Sequence, residues 1–334
     1  MRRAGTLFVA TFLIVLGGLP ASAGPAACTF DETTATVTVT SDDPDVKRNN
    51  DEIVVDGAPC LDGLVAATVT NTDTIVVEPN LQRLTIDLRG GPFAPGLTDE
   101  GDGWSEIEFR IDARPGDAAF AIYVEGTPGD DRLIPATTPD GGDTSSLNLN
   151  GFEIPKDPDV QFLTSLAEVL YFLNHGGNDQ LLAHGTNDAH YAGGLYFSGG
   201  AGDDRMTPGI VEDPRTMFFA GGPGRDVFDA SELPVDRPVF LSLAEHGGEA
   251  GGRVSLWSVE TVVGTDGPDT LLGSIRDERL LGLDGQDLLW GRRGDDTLLG
   301  GMGADELDGG RGVDRCDGLP DDIIVRDCER GVMS

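Results

Sequence analysis

The sequence is poor in positive charge. Lysine and arginine number 23 against 58 aspartates and glutamates, a formal net charge of -35 over 334 residues. That balance excludes nucleic acid and anionic membranes as natural partners and points to cations. Histidine is scarce, at 4 residues, and no CxxC pair occurs, so a zinc site built on nitrogen and sulfur lacks its ligands. Beyond residue 19 no stretch approaches the ~18 apolar residues of a membrane-spanning helix. Catalytic signatures are missing as well. Neither HExxH nor GxSxG is present, and no Walker, dinucleotide-binding or EF-hand pattern stands in its required context. His184 and His190 lie near Asp179 and Asp188, but nothing else converges on them, so they read as polar loop residues. No enzyme is expected. The rival readings are an extracellular polysaccharide lyase or epimerase on the outer face of the fold, and a surface adhesin or matrix protein with a cell-surface or polysaccharide partner.

What is present begins with a leader. Met1, Arg2 and Arg3 precede an apolar run over 7–19 and a small-residue stretch over 21–23. This is the three-part pattern of a secretory signal peptide over 1–23, with cleavage before Gly24 and an extracellular destination. Four cysteines remain, as two local pairs. In an exported chain Cys28–Cys60 and Cys316–Cys328 are the expected bridges among the three connectivities open to four cysteines.

The dominant signal is a nine-residue repeat. From Gly264 the lines GTDGPDTLL, GSIRDERLL, GLDGQDLLW, GRRGDDTLL, GGMGADELD and GGRGVDRCD stay in register. Glycine opens every line, and leucine or cysteine fills the eighth place. The sixth place is always acidic: Asp269, Glu278, Asp287, Asp296, Asp305 and Asp314. Glycines at the first, second and fourth places allow φ > 0 and turn carbonyls inward. The last three places suit a short strand whose eighth-place side chain enters a core. One line cannot bury its single leucine; stacked lines can.

Stacking brings like charges together. Neighbouring strands lie ~4.8 Å apart. Two carboxylates at about 5 Å repel by about 1 kcal/mol in water and about 3 kcal/mol at an effective dielectric near 20. A hard dication held by carboxylates and carbonyls reverses that sign. Calcium, with its 6–8 oxygen ligands and tolerant geometry, suits better than magnesium.

The phased GGxGxDxUx lines resemble the calcium-binding nonapeptide of hemolysin-type, or repeats-in-toxin (RTX), proteins, a family of secreted bacterial chains. The resemblance is continuous over 264–318. It implies a right-handed parallel β-helix or β-roll solenoid, all-β, with several Ca2+ ions between nonapeptide turns and two lines to each coil. On that reading Asp269, Asp287 and Asp305 line one edge, and Glu278, Asp296 and Asp314 the other. Good sites are expected at 269/287, 287/305 and 296/314. Arg276 and Glu278 depart from the pattern and put the 278/296 site in doubt. An N-terminal leader also departs from the dedicated one-step export of many members.

Similar turns occur upstream without tight phase: GTPGDD, NHGGND, GGAGDD and GGPGRD end in Asp131, Asp179, Asp204 and Asp226. They form an irregular series that leads on to Asp269, and calcium at each is weighed evenly against a plain glycine-aspartate turn. The stretches between read as short strands, including VQFLTSLAEVLYFLN over 160–174, where a helix is the competing reading. The expected organisation is a leader over 1–23, a β region capping the solenoid over 24–125, and an irregular solenoid over 126–263. The regular array follows over 264–318, with a C-terminal cap over 319–334.

Overall fold

The computed structural model describes residues 27–78, 81–93, 107–112, 117–137, 144–149, 160–163, 167–183, 194–210, 216–317 and 322–328. The leader over 1–23 and the His184, Asp188 and His190 group lie outside these. Among the described residues the fold is all-β, relieved only by a single 3-10 turn at Leu243–Glu245.

Two long sheets carry the fold, one of 14 strands and one of 15. In the regular array the chain alternates between them every nine residues. Thr261–Val263, Arg279–Gly285, Thr297–Gly303 and Arg315–Cys316 pair in parallel in the first sheet. Thr270–Leu272, Leu288–Trp290, Glu306–Asp308 and Ile324–Arg326 do so in the second. Partners are 18 residues apart, as two lines to a coil require. A three-residue strand puts its middle side chain inward, and that is the eighth place of each line. Leu271, Leu280, Leu289, Leu298 and Leu307 are accordingly fully buried.

Leu289 is fully buried and sits in register between Leu271 and Leu307, in one core with Leu280 and Leu298 of the facing sheet. We expect Leu289→Ala to cost about 3–4 kcal/mol, measured by denaturant unfolding in calcium. A loss under about 1 kcal/mol would mean that the leucine column is not a packed core.

The same two sheets run on upstream. Thr36–Val39, Thr74–Val77 and Glu108–Ile111 stack in parallel in the first. Asp45–Asn49, Arg83–Asp87 and Phe120–Glu125 do so in the second. The region expected to cap the solenoid thus contributes strands to both sheets. An antiparallel pairing of Cys28–Asp31 with Thr36–Val39 closes the first sheet's end. The bridges join Cys28 to Cys60 and Cys316 to Cys328. Within 160–174 the described parts are strands, Val160–Leu163 and Ala167–Leu173. Leu170 and Phe172 are buried while Tyr171 faces out, stacked on Tyr123. Strand partners on both sides impose a period of two, and the helix-like spacing loses.

Candidate metal centre

Each line places its sixth residue just before the strand, so strand register fixes carboxylate register. In the first sheet Arg132, Gln180, Arg205, Val227, Thr261, Arg279, Thr297 and Arg315 form one row of partners. The residues immediately before them are Asp131, Asp179, Asp204, Asp226, Glu260, Glu278, Asp296 and Asp314. The upstream turns and every second line of the regular array, those of Glu278, Asp296 and Asp314, therefore share one edge. The other edge carries Asp269, Asp287 and Asp305.

One sequence expectation changes here. Asp226 is followed on its edge by Glu260 and then Glu278, not by Asp269, which stands on the opposite edge. Glu260 went unnoticed because its line, SLWSVETVV, has no glycine. Its phase was the available signal: it occupies the nine residues before Gly264, with an acid sixth and Val262 eighth. The interval of 48 residues between Asp131 and Asp179 is a single step, because their backbone and side chain are directly hydrogen-bonded. The antiparallel strands Thr144–Asn148 and Val160–Leu163 fill the excursion between them.

A second pattern ties each carboxylate to its neighbour. The backbone N–H of Asp269 donates to Asp287 Oδ1 at 2.8 Å, and that of Asp287 to Asp305 Oδ1 at 2.9 Å. On the long edge the N–H groups of Asp131, Asp179 and Asp204 donate to the Oδ1 of Asp179, Asp204 and Asp226 at 2.7–2.9 Å. Glu278 donates to Asp296, and Asp296 to Asp314, each at 2.8 Å. A shallower row runs the opposite way: Asp203 N–H donates to Asn178 Oδ1 at 2.9 Å, and Asp295 N–H to Asp277 Oδ1 at 2.7 Å.

One oxygen of each inner carboxylate is thus accounted for. The other is not. The Oδ2 atoms of Asp179, Asp204, Asp226, Asp287 and Asp296 are buried and accept no hydrogen bond. The residues themselves are 0 to 3% exposed. A buried carboxylate oxygen with no donor is costly unless something positive meets it. Burial is the main cause that pushes Asp179, Asp226, Asp287 and Asp296 up to about 7, and neighbouring carboxylates add to it. Burial also raises Asp131, Asp204, Asp269 and Glu278.

The glycines have separate reasons. A Cβ on Gly199, Gly282, Gly291 or Gly300 would strike the aspartate of its own line, and these first-place glycines keep ordinary φ. Room for the carboxylate, not a left-handed backbone, is what the first place needs.

Among the described residues no three His, Cys, Asp or Glu side chains gather into one metal-holding group. A cation on either edge must therefore draw on carboxylates from stacked lines together with backbone carbonyls. That all-oxygen donor set fits a hard cation and excludes a thiolate or imidazole site.

Stacked nonapeptide turns with a buried sixth-place acid define a calcium-type repeat protein. The model of the RTX calcium-binding nonapeptide repeat, four copies long, matches residues 272–307 and again 281–316. This segment carries RTX-type calcium-binding nonapeptide repeats. No curated protein matches the chain.

Proposed function

We propose that the chain is a secreted protein whose ordering is coupled to calcium held between stacked turns of a right-handed β-roll. One observation carries the reading: five buried aspartate oxygens without a donor, at Asp179, Asp204, Asp226, Asp287 and Asp296. Asp305 and Asp314 continue the two rows in repeats of the same pattern. The right hand follows from the crossover rule for parallel strands. Secretion is supported by the leader pattern over 1–23 and by two bridges that persist in an oxidising compartment. The regular array over 264–318 is the part most dependent on the ion. The irregular coils over 126–263 extend it, and 24–125 and 319–334 close the ends.

Bound calcium supplies the positive charge that the rows lack. The chain's own residues do the rest. The sixth-place carboxylates face each other across the coil spacing, the N–H ladder fixes one oxygen of each, and the leucine column keeps the coils in register. Below the working calcium concentration the carboxylates repel and the coils loosen. Above it, binding to the folded state alone stabilises that state. Extracellular calcium modules have dissociation constants of ~10⁻⁴–10⁻³ M, which suits ordering outside the cell.

Calcium titration of the full chain by calorimetry and circular dichroism tests this. Saturable uptake of several ions with a gain in β signal, and a much weaker response to magnesium, is the expected result. No heat and no spectral change up to 10⁻² M calcium, about ten times the weakest expected constant, would end the proposal.

A further inference from the structure

Seven of the acidic turns fall into two kinds by the second residue of the line; Asp179 stands apart, since its second residue, His175, has neither a positive φ nor a hydroxyl and its Oδ2 still has no donor. In the lines of Asp204, Asp226, Asp287 and Asp296 the second residue is Gly200, Gly222, Leu283 or Arg292, with φ of 98, 117, 79 and 72°. There the inner carboxylate keeps an Oδ2 without a donor. The second-place amide points elsewhere: Gly200 N–H donates to the Gly221 carbonyl of the next coil at 3.0 Å.

In three other lines the second residue carries a hydroxyl: Thr127, Thr265 and Ser274. None of the three has a positive φ, and each turns both donors onto the acid of its own line. Thr127 N–H and Oγ1 reach Asp131 at 2.8 and 3.0 Å. Thr265 N–H reaches Asp269 Oδ2 at 2.5 Å, and its buried hydroxyl lies 3.2 Å from both carboxylate oxygens. Ser274 N–H reaches Glu278 Oε2 at 3.0 Å, and its Oγ donates to Oε1. The carboxylates of Asp131, Asp269 and Glu278 have no donorless oxygen, unlike the four above.

The placement has a logic. Asp131 and Asp269 are the first acids of their rows; below Asp269 the register position is Val239, which offers only its N–H. Glu278 stands above Glu260, whose carboxylate already has a cationic neighbour, Arg276 at 3.5 Å. In all three places a cation would lack a full partner carboxylate on one side.

We infer that Thr127, Thr265 and Ser274 close their turns against metal, so that Asp131, Asp269 and Glu278 are held by hydrogen bonds rather than by calcium. This rests on the calcium reading above and sharpens it. Donated N–H and O–H groups occupy the lone pairs a cation would use, and their positive ends face the volume it would fill. The long row is thereby split into an upstream ion-binding block at 179–226 and a downstream one beginning at Asp296. Between them lies a coil that balances its own charge.

The test counts calcium per molecule on the full chain by equilibrium dialysis and elemental analysis, with circular dichroism to show folding. Thr265→Gly frees Asp269 and permits the left-handed second residue, so it should bind one ion more than wild type. Thr127→Gly should do the same in the other row and answers the question if the first variant does not fold. Glu278→Gln should keep the wild-type number. A folded Glu278→Gln that loses an ion, or glycine variants that fold and gain none, overturns the inference while leaving calcium binding intact. A wild-type count of zero overturns both.

Discussion

Freed of calcium, the folded chain loses stability as pH rises from about 4 to about 8, and calcium cancels that loss. The direction follows from Asp179, Asp226, Asp287 and Asp296, pushed up to about 7 from 3.8 by burial. A carboxyl raised in the folded state holds a proton that the unfolded chain has already released. Its contribution is therefore fully present below pH 3.8 and is lost as pH climbs through about 7. At about 1.4 kcal/mol per unit, each group works against folding by on the order of a few kcal/mol at pH 8.

Calcium acts on the same oxygens. It replaces the proton with a charge that stays in place at high pH, so binding releases protons and the pH slope flattens or reverses. Calcium at ten times its dissociation constant contributes about 1.4 kcal/mol per site, so five such sites would contribute about 7 kcal/mol together. For a chain of 334 residues that is a rise of about 10 °C in melting temperature. Calorimetric melting at pH 5, 6.5 and 8, in EGTA and in calcium, should show two families of curves that diverge with pH. Parallel curves would mean that the buried oxygens are satisfied by something other than the ion.

The fold of the regular array was legible because one residue in nine repeats its task. Phase marked the buried eighth place, and the resemblance to the nonapeptide family supplied two lines to a coil and the assignment of Asp269 and Asp296 to opposite edges. What stayed hidden had physical causes. Glu260 stands in a line with no glycine, and a longer side chain lets it reach the Asp226 amide at 3.0 Å without the usual turn. The 48-residue step from Asp131 to Asp179 hides an inserted hairpin that no period announces. The two kinds of turn escaped because Thr265 and Ser274 look like ordinary substitutions for glycine. Only hydrogen-bond geometry distinguishes a hydroxyl aimed at the acid from one aimed at water. Leu283 and Arg292 misled in the other direction: neither is a residue that favours a left-handed backbone, yet the stack imposes it on both.

That imposed backbone leads to the harshest substitution in the array. Gly303→Ala should cost about 3–5 kcal/mol, more than most single core truncations of one or two methylenes. Gly303 has φ 146° and lies over the coil below, where an added Cβ would overlap the Gly285 carbonyl oxygen. The carbonyl is backbone and the backbone fixes where a Cβ lies, so no side-chain rotation relieves the clash, and the coils must part. Parting them breaks the pairing of Gly285 with Gly303 and spreads the Asp287–Asp305 pair that the calcium reading places at an ion. Melting temperature should fall by several degrees, and one ion should be lost with weakened calcium affinity at that edge. Leu283→Gly is the companion experiment. It removes a strained left-handed residue with φ 79° and should be neutral or stabilising by up to about 1 kcal/mol, despite the greater freedom of the unfolded chain. If alanine at 303 is harmless and glycine at 283 harmful, the coils are not stacked as closely as their hydrogen bonds imply.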